Sequence, residues 1–118
     1  MLTFNLKKKW FAKIKSGEKT HEYREVKPYW TKRLCNELLV KEDELNDYKA
    51  YCNHVINFVR GYSNLVDDRL LAILTSIRVV NGKYTDLGID KPVYAIEFEV
   101  LPLNKKKSVV VGISYLHQ

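Results

Sequence analysis

The sequence predicts an α+β fold that is mainly β: a curled antiparallel β-barrel of about six strands, with two or three short helices covering one end. Three observations carry this. Short runs of alternating apolar and polar residues recur from Leu2 to Tyr115. Clear helical periodicity is confined to the front, between Lys7 and Leu38. The later strands have few crossovers between them, so a parallel α/β sheet is excluded.

Taken in order, Leu2 to Leu6 alternates and reads as a strand. Lys7 to Ser16 reads as a helix with Leu6, Trp10, Phe11 and Ile14 on one face and most lysines elsewhere, and Gly17 suits the left-handed residue that ends it. Thr20 to Val26 reads as a strand. Pro28 fits the first turn of a second helix, with Trp30, Leu34 and Leu38 inward and Lys32 and Arg33 toward the surface. Residues 41 to 52 are polar, acidic on balance and weakly periodic, a helical or loop insertion without an assigned role. His54 to Val59 is a strand whose alternation stops at Arg60-Gly61-Tyr62. Arg69 to Val80 is the longest β-like run, with Leu71, Ile73, Ile77 and Val79 on one face. Asn81-Gly82 signals a turn, but residues 82 to 92 are too many for a tight hairpin. Val93 to Leu101 sets Tyr94, Ile96, Phe98 and Val100 against Glu97 and Glu99, and Ser108 to Tyr115 is the last strand.

At 118 residues the chain fits a single domain spanning 1–118, able to bury roughly two thirds of its unfolded surface. No apolar run approaches the roughly 20 residues of a membrane span. The N-terminus runs from apolar residues into three lysines, the reverse of a secretory signal. Cys35 and Cys52 fit no paired metal spacing, so a cytoplasmic protein with reduced thiols is expected. The three histidines, His21, His54 and His117, lack ligand spacing, and no metal or cofactor is expected. The net charge is +6, and residues 1 to 33 hold 10 Lys or Arg against 3 Glu, so the whole excess belongs to the first third. Such a one-sided field attracts polyanions, nucleic acid first. A solvated lysine face that maintains solubility is the other reading.

The stretch Ser16-Gly17-Glu18-Lys19-Thr20-His21-Glu22-Tyr23-Arg24 sets dense charge beside a structural turn. At strand spacing Glu22 and Arg24 share a face, and a carboxylate turned into a barrel needs a cationic partner. The pair is either an ion pair that holds the corner or a donor–acceptor set lining a pocket. Lys19 is either a solvated turn lysine or a group meeting phosphate or moving a proton. Tyr23, Tyr29, Trp30 and Tyr62 lie near basic residues in sequence, as rings that stack on unpaired bases do.

Trp10-Phe11, Ile14, Ser16-Gly17-Glu18-Lys19, Glu22-Tyr23-Arg24 and Lys27-Pro28-Tyr29-Trp30 with Arg33 together resemble the front half of an ASCH domain, and the Phe58 to Tyr62 segment also resembles that family. The resemblance covers most of the chain and is most specific over residues 10–33 and 58–62. It implies a PUA-like β-barrel with a cleft beside the first helix that recognises RNA or a modified nucleotide or nucleoside, at positions matching Gly17, Lys19, Glu22 and Arg24. With the aromatic and basic residues above, the candidate binding set is Lys19, Glu22, Tyr23, Arg24, Trp30, Arg33, Arg60 and Tyr62. Some members of the family are hydrolases: amidohydrolases of acylated cytidine, and ribonucleases. In the amidohydrolases a threonine follows the lysine by three positions and a glutamate comes from a later strand. Here Glu22 stands at the threonine position and Arg69 to Val80 contains no carboxylate, so an enzyme would rely on Lys19 and Glu22.

Overall fold

The computed structural model of the protein describes residues 1–102. Its elements are β1 (Thr3–Leu6), α1 (Lys8–Lys15), β2 (His21–Glu25), α2 (Pro28–Leu38), β3 (Tyr48–Arg60), β4 (Arg69–Asn81) and β5 (Pro92–Val100), with single 3-10 turns at Glu42–Glu44, Val66–Asp68 and Gly82–Tyr84. The strands form one sheet in the order β1-β3-β4-β5-β2. β1 pairs with β3 in parallel, setting Phe4 opposite Phe58. The three other pairings are antiparallel. The result is a mainly-β α+β fold, a curled five-strand half-barrel with two helices. The right-handed twist of a sheet tends to curl it, and here the curl brings the outer edges together: Arg24 on β2 donates from Nη2 to the Asn5 carbonyl on β1 at 3.3 Å.

The hollow of the sheet is filled by apolar side chains. Phe58 packs between Phe4 and Phe98, with ring centroids 5.6 and 4.7 Å away. Ile14 of α1, Leu34 of α2, Ile56, Leu74, Ile77 and Ile96 are fully buried around them. Helix α1 buries Phe11 and Ile14 and keeps Trp10 half-buried at its edge. Gly17, at φ 88, then reverses the chain, and the Lys19 amide donates to the Lys13 carbonyl at 3.0 Å. This return to the helix end is what sets Lys19 beside α1. Helix α2 begins with Pro28 at its first turn after an extended Lys27, as an X-Pro step favours.

Four expectations change. The strand expected over His54 to Val59 begins at Tyr48, so the second half of the 41–52 insertion belongs to β3. Its polar composition hid it: Tyr51, Cys52 and Asn53 are exposed, and the pairing with β4 is irregular between Lys49 and His54. On β4 the inward residues are Leu70, Ala72, Leu74 and Ile77; of the expected set Ile77 is inward, whereas Leu71, Ile73 and Val79 are not. The register shifts between Leu74 and Ser76, and the extra residue switches which parity faces the core. Five strands, not about six, lie within the described residues, the strand expected over Ser108 to Tyr115 falling outside them. The curl is a half-barrel, because no strand pairing joins β1 to β2 among the described residues.

The 82–92 connection is folded tightly. Asn81 Oδ1 accepts from the Lys83 amide at 2.8 Å, Asn81 Nδ2 donates to Asp90 at 2.9 Å, and the Gly82 amide donates to the Lys91 carbonyl at 2.8 Å. Gly82 is required by close approach: a Cβ there would lie 2.7 Å from Val93 Cγ1 and 2.8 Å from the Ile89 carbonyl oxygen. None of the described helices is long and apolar enough to cross a membrane.

Gly82→Ala is expected to destabilise the protein by about 1–3 kcal/mol through overpacking, read as a lowered urea midpoint. An unchanged midpoint would show that the connection yields to a methyl group.

Candidate ligand-binding site

The charged residues at the first bend form one connected chain. Glu22, only 6% exposed, accepts on Oε2 from Arg24 Nε at 2.8 Å and from Arg24 Nη2 at 2.7 Å. Its other oxygen lies 3.5 Å from Lys19 Nζ. Lys19 Nζ is also paired with Asp86, which the 82–92 connection delivers from the far end of the sequence. Both Lys19 and Glu22 have side chains 8% exposed. Two carboxylates thus meet two cations, and the cluster is close to neutral. An ammonium group carries three donors, and on Lys19 one is hydrogen-bonded to Asp86 while Glu22 lies within ion-pair distance.

Aromatic rings enclose this lysine. Its Nζ lies 4.8 Å from the centroid of Tyr23 and 5.4 Å from that of Trp10. Lys9 and Lys13 also approach the Trp10 ring, at 4.7 and 5.3 Å, so the indole sits within a patch of cations. Burial, then the nearby Asp86 and Glu22 carboxylates, push the Tyr23 phenol above its ordinary pKa. Its hydroxyl therefore stays a donor at neutral pH. A solvent-open cleft of about 210 Å³ is lined by Trp10, Lys13, Glu18, Lys19, Thr20, His21, Tyr23 and Asp86. A smaller recess of about 60 Å³ beside it reaches Glu22 and Leu87. The larger space is below the roughly 300 Å³ at which pockets for drug-sized ligands begin, and suits a single ring system.

The other predicted residues are distributed over two further places. Arg24 is 21% exposed and internally committed: besides Glu22 and Asn5, its guanidinium lies 4.8 Å from the Trp30 ring and 5.2 Å from Phe4. Trp30 stacks on Phe4 at 5.3 Å, and Arg33 lies 5.4 Å from both Tyr29 and Trp30 with its Nε buried and unbonded. This second cluster stands at the start of α2. Arg60 is bound by Asp68 at 2.8 Å, and a Ser63 hydroxyl on Asp68 at 2.7 Å, followed by Arg60, holds that carboxyl below its usual pKa. Tyr62 projects 88% exposed from the β3–β4 turn. Neither Arg60 nor Tyr62 lines the Lys19 clefts. Cys35 has its thiol pushed upward, first by burial and then by Glu42 and Glu44, which lowers its thiolate fraction.

Six residues lining the larger cleft, Trp10, Lys13, Glu18, Thr20, His21 and Asp86, were outside the expected set. Trp10 reads in sequence as part of the apolar stripe of α1, and Asp86 sits in a connection without periodicity. The one available signal was the length of that connection. Among the described residues no three metal-ligating side chains gather. Comparison with protein-family models, with curated proteins and with solved structures found no match to this chain.

Glu22→Ala is expected to cost about 3–5 kcal/mol of stability, because it leaves Lys19 and Arg24 without their shared buried counter-charge. Chemical denaturation measures this, and a loss under about 1 kcal/mol would mean the cluster is far better hydrated than its burial indicates.

Proposed function

We propose that this chain is an ASCH-type, PUA-like module that binds RNA or a modified nucleotide, holding one base in the cleft between Trp10, Lys19 and Tyr23. The observation that carries the reading is a buried lysine with donor capacity to spare, set between two carboxylates and two rings in a space open to water. A base edge offers the complement: a ring carbonyl accepts from Lys19, an exocyclic amine donates to Asp86 or Glu22, and the base face meets an aromatic wall. Because Lys19 is already neutralised, it contacts base and not phosphate. The backbone is drawn instead by the α1 lysines, of which Lys8, Lys9 and Lys15 are exposed. Arg24, Trp30 and Arg33 belong in this reading to the frame behind the cleft.

A second reading, a small hydrolase acting on acylated cytidine or on RNA, is favoured by one observation. Two carboxylates meet a lysine at the lip of the cleft, an arrangement suited to moving protons at an amide or a phosphodiester.

Titration with short RNAs at several salt concentrations tests the binding reading. Trp10→Leu, which keeps apolar bulk against the core, is expected to weaken binding about tenfold, the scale of one lost base stack. Lys8→Gln with Lys15→Gln is expected to flatten the salt dependence by about 0.7 in log K per log salt for each phosphate contact removed. RNA affinity indifferent to all three changes would overturn the reading. For the hydrolase, Lys19→Ala is expected to slow turnover of acylated cytidine or RNA about 100-fold or more, and equal rates in wild type and variant would remove it.

A further inference from the structure

A second and larger groove, of about 400 Å³, lies on the outer face of the sheet and shares His21 and Tyr23 with the Lys19 cleft. Its floor is set by the strand register. Ala95 on β5 stands opposite Tyr23 on β2 and opposite Arg78 on β4. In the next row, Glu97 stands opposite His21 and Ser76, and the Ser76 hydroxyl donates to Glu97 at 2.8 Å. The small side chain of Ala95 between an aromatic and a guanidinium makes the depression. The 82–92 connection, whose Asp86 pairs with Lys19, closes its end with Tyr84 and Thr85. Tyr84 is 84% exposed, and Lys83 lies 5.9 Å from its ring. Arg78 is exposed and forms no ion pair among the described residues.

We infer that this groove is a second nucleotide subsite, so that the protein takes at least two consecutive residues of single-stranded RNA and not a lone nucleoside. The inference rests on the reading of the Lys19 cleft as a base site. Tyr23, common to both spaces, separates the two bases. Arg78 and Lys83 meet the phosphate of the second nucleotide, Tyr84 offers its ring to the base, and Glu97 accepts from an exocyclic amine. Cations without carboxylate partners among the described residues here contrast with the neutralised cluster at Lys19. That difference fits a phosphate in the outer groove and a base edge in the inner cleft.

Calorimetric titration of the full chain with the four ribonucleoside monophosphates and with a random-sequence ribonucleotide trimer pool tests this. Wild type is expected to bind the trimers about tenfold or more tightly than any monophosphate. Ala95→Phe, which fills the groove, and Arg78→Ala, at an exposed position that keeps the test open should the first variant misfold, are each expected to remove most of that gain. Equal wild-type affinities for trimers and monophosphates, or a gain that survives in the folded variants, would overturn the second subsite and leave the inner cleft standing. Binding of neither ligand class would overturn both.

Discussion

Burying the Glu22 carboxylate inside the curl of the sheet requires that both its oxygens meet cations, and that constraint arranges the front of the molecule. An isolated ionised carboxylate at this depth would cost several kcal/mol. Arg24, two residues along the same strand, supplies two nitrogens to one oxygen, and Lys19 faces the other. The guanidinium also reaches the carbonyl of Asn5 on the opposite edge strand, while Phe4 and Trp30 lie against it. One buried acid thereby ties the two ends of the half-barrel together and fixes the lysine that forms the wall of the cleft. Closure of the fold and construction of the site are the same event.

The positive excess of the first third is divided by this arrangement into two populations. Lys19 and Arg24 are turned inward and cancelled by carboxylates, so at short range the cleft is governed by hydrogen-bond geometry and ring contacts. Lys8, Lys9 and Lys15 remain on the outside of α1, where their field extends over a Debye length of about 8–10 Å at ordinary ionic strength. In the proposed binding function, attraction and discrimination fall to different lysines. A nearly neutral cleft in a basic surface can choose by shape and donor pattern among ligands that the surface has gathered indiscriminately.

What the sequence disclosed and what it concealed follow from how far each signal travels along the chain. The Glu22–Arg24 pair was legible because strand alternation puts both on one side with only Tyr23 between them. The helix ending at Gly17 and the inward set Tyr94, Ile96 and Phe98 were legible for the same local reason. Asp86 was not, since its partner lies 67 positions away and the connection that carries it has no period to betray its course. The inward face of β4 was misjudged because one irregular step near Thr75 inverts the alternation halfway, and β3 was shortened because its first half is solvated. Arg60 and Tyr62 were grouped with the site because they are a basic and an aromatic residue, yet the parallel pairing of β3 with β1 places them at another turn.

That parallel pairing bears on how the molecule assembles. Thr3 must find Asn57, with α1, β2 and α2 all lying between them in the chain, and contacts spanning such separations form slowly because the entropy of loop closure precedes their reward. Like β2, whose His21 must reach Glu97, the N-terminal segment can dock only once its partner strand is in place. Until it arrives, the rim of β3 around Phe58 stands open to any extended segment, including the same segment of a sister molecule. The reach of Arg24 to Asn5 is therefore also a latch favouring the chain's own terminus over an exchanged one.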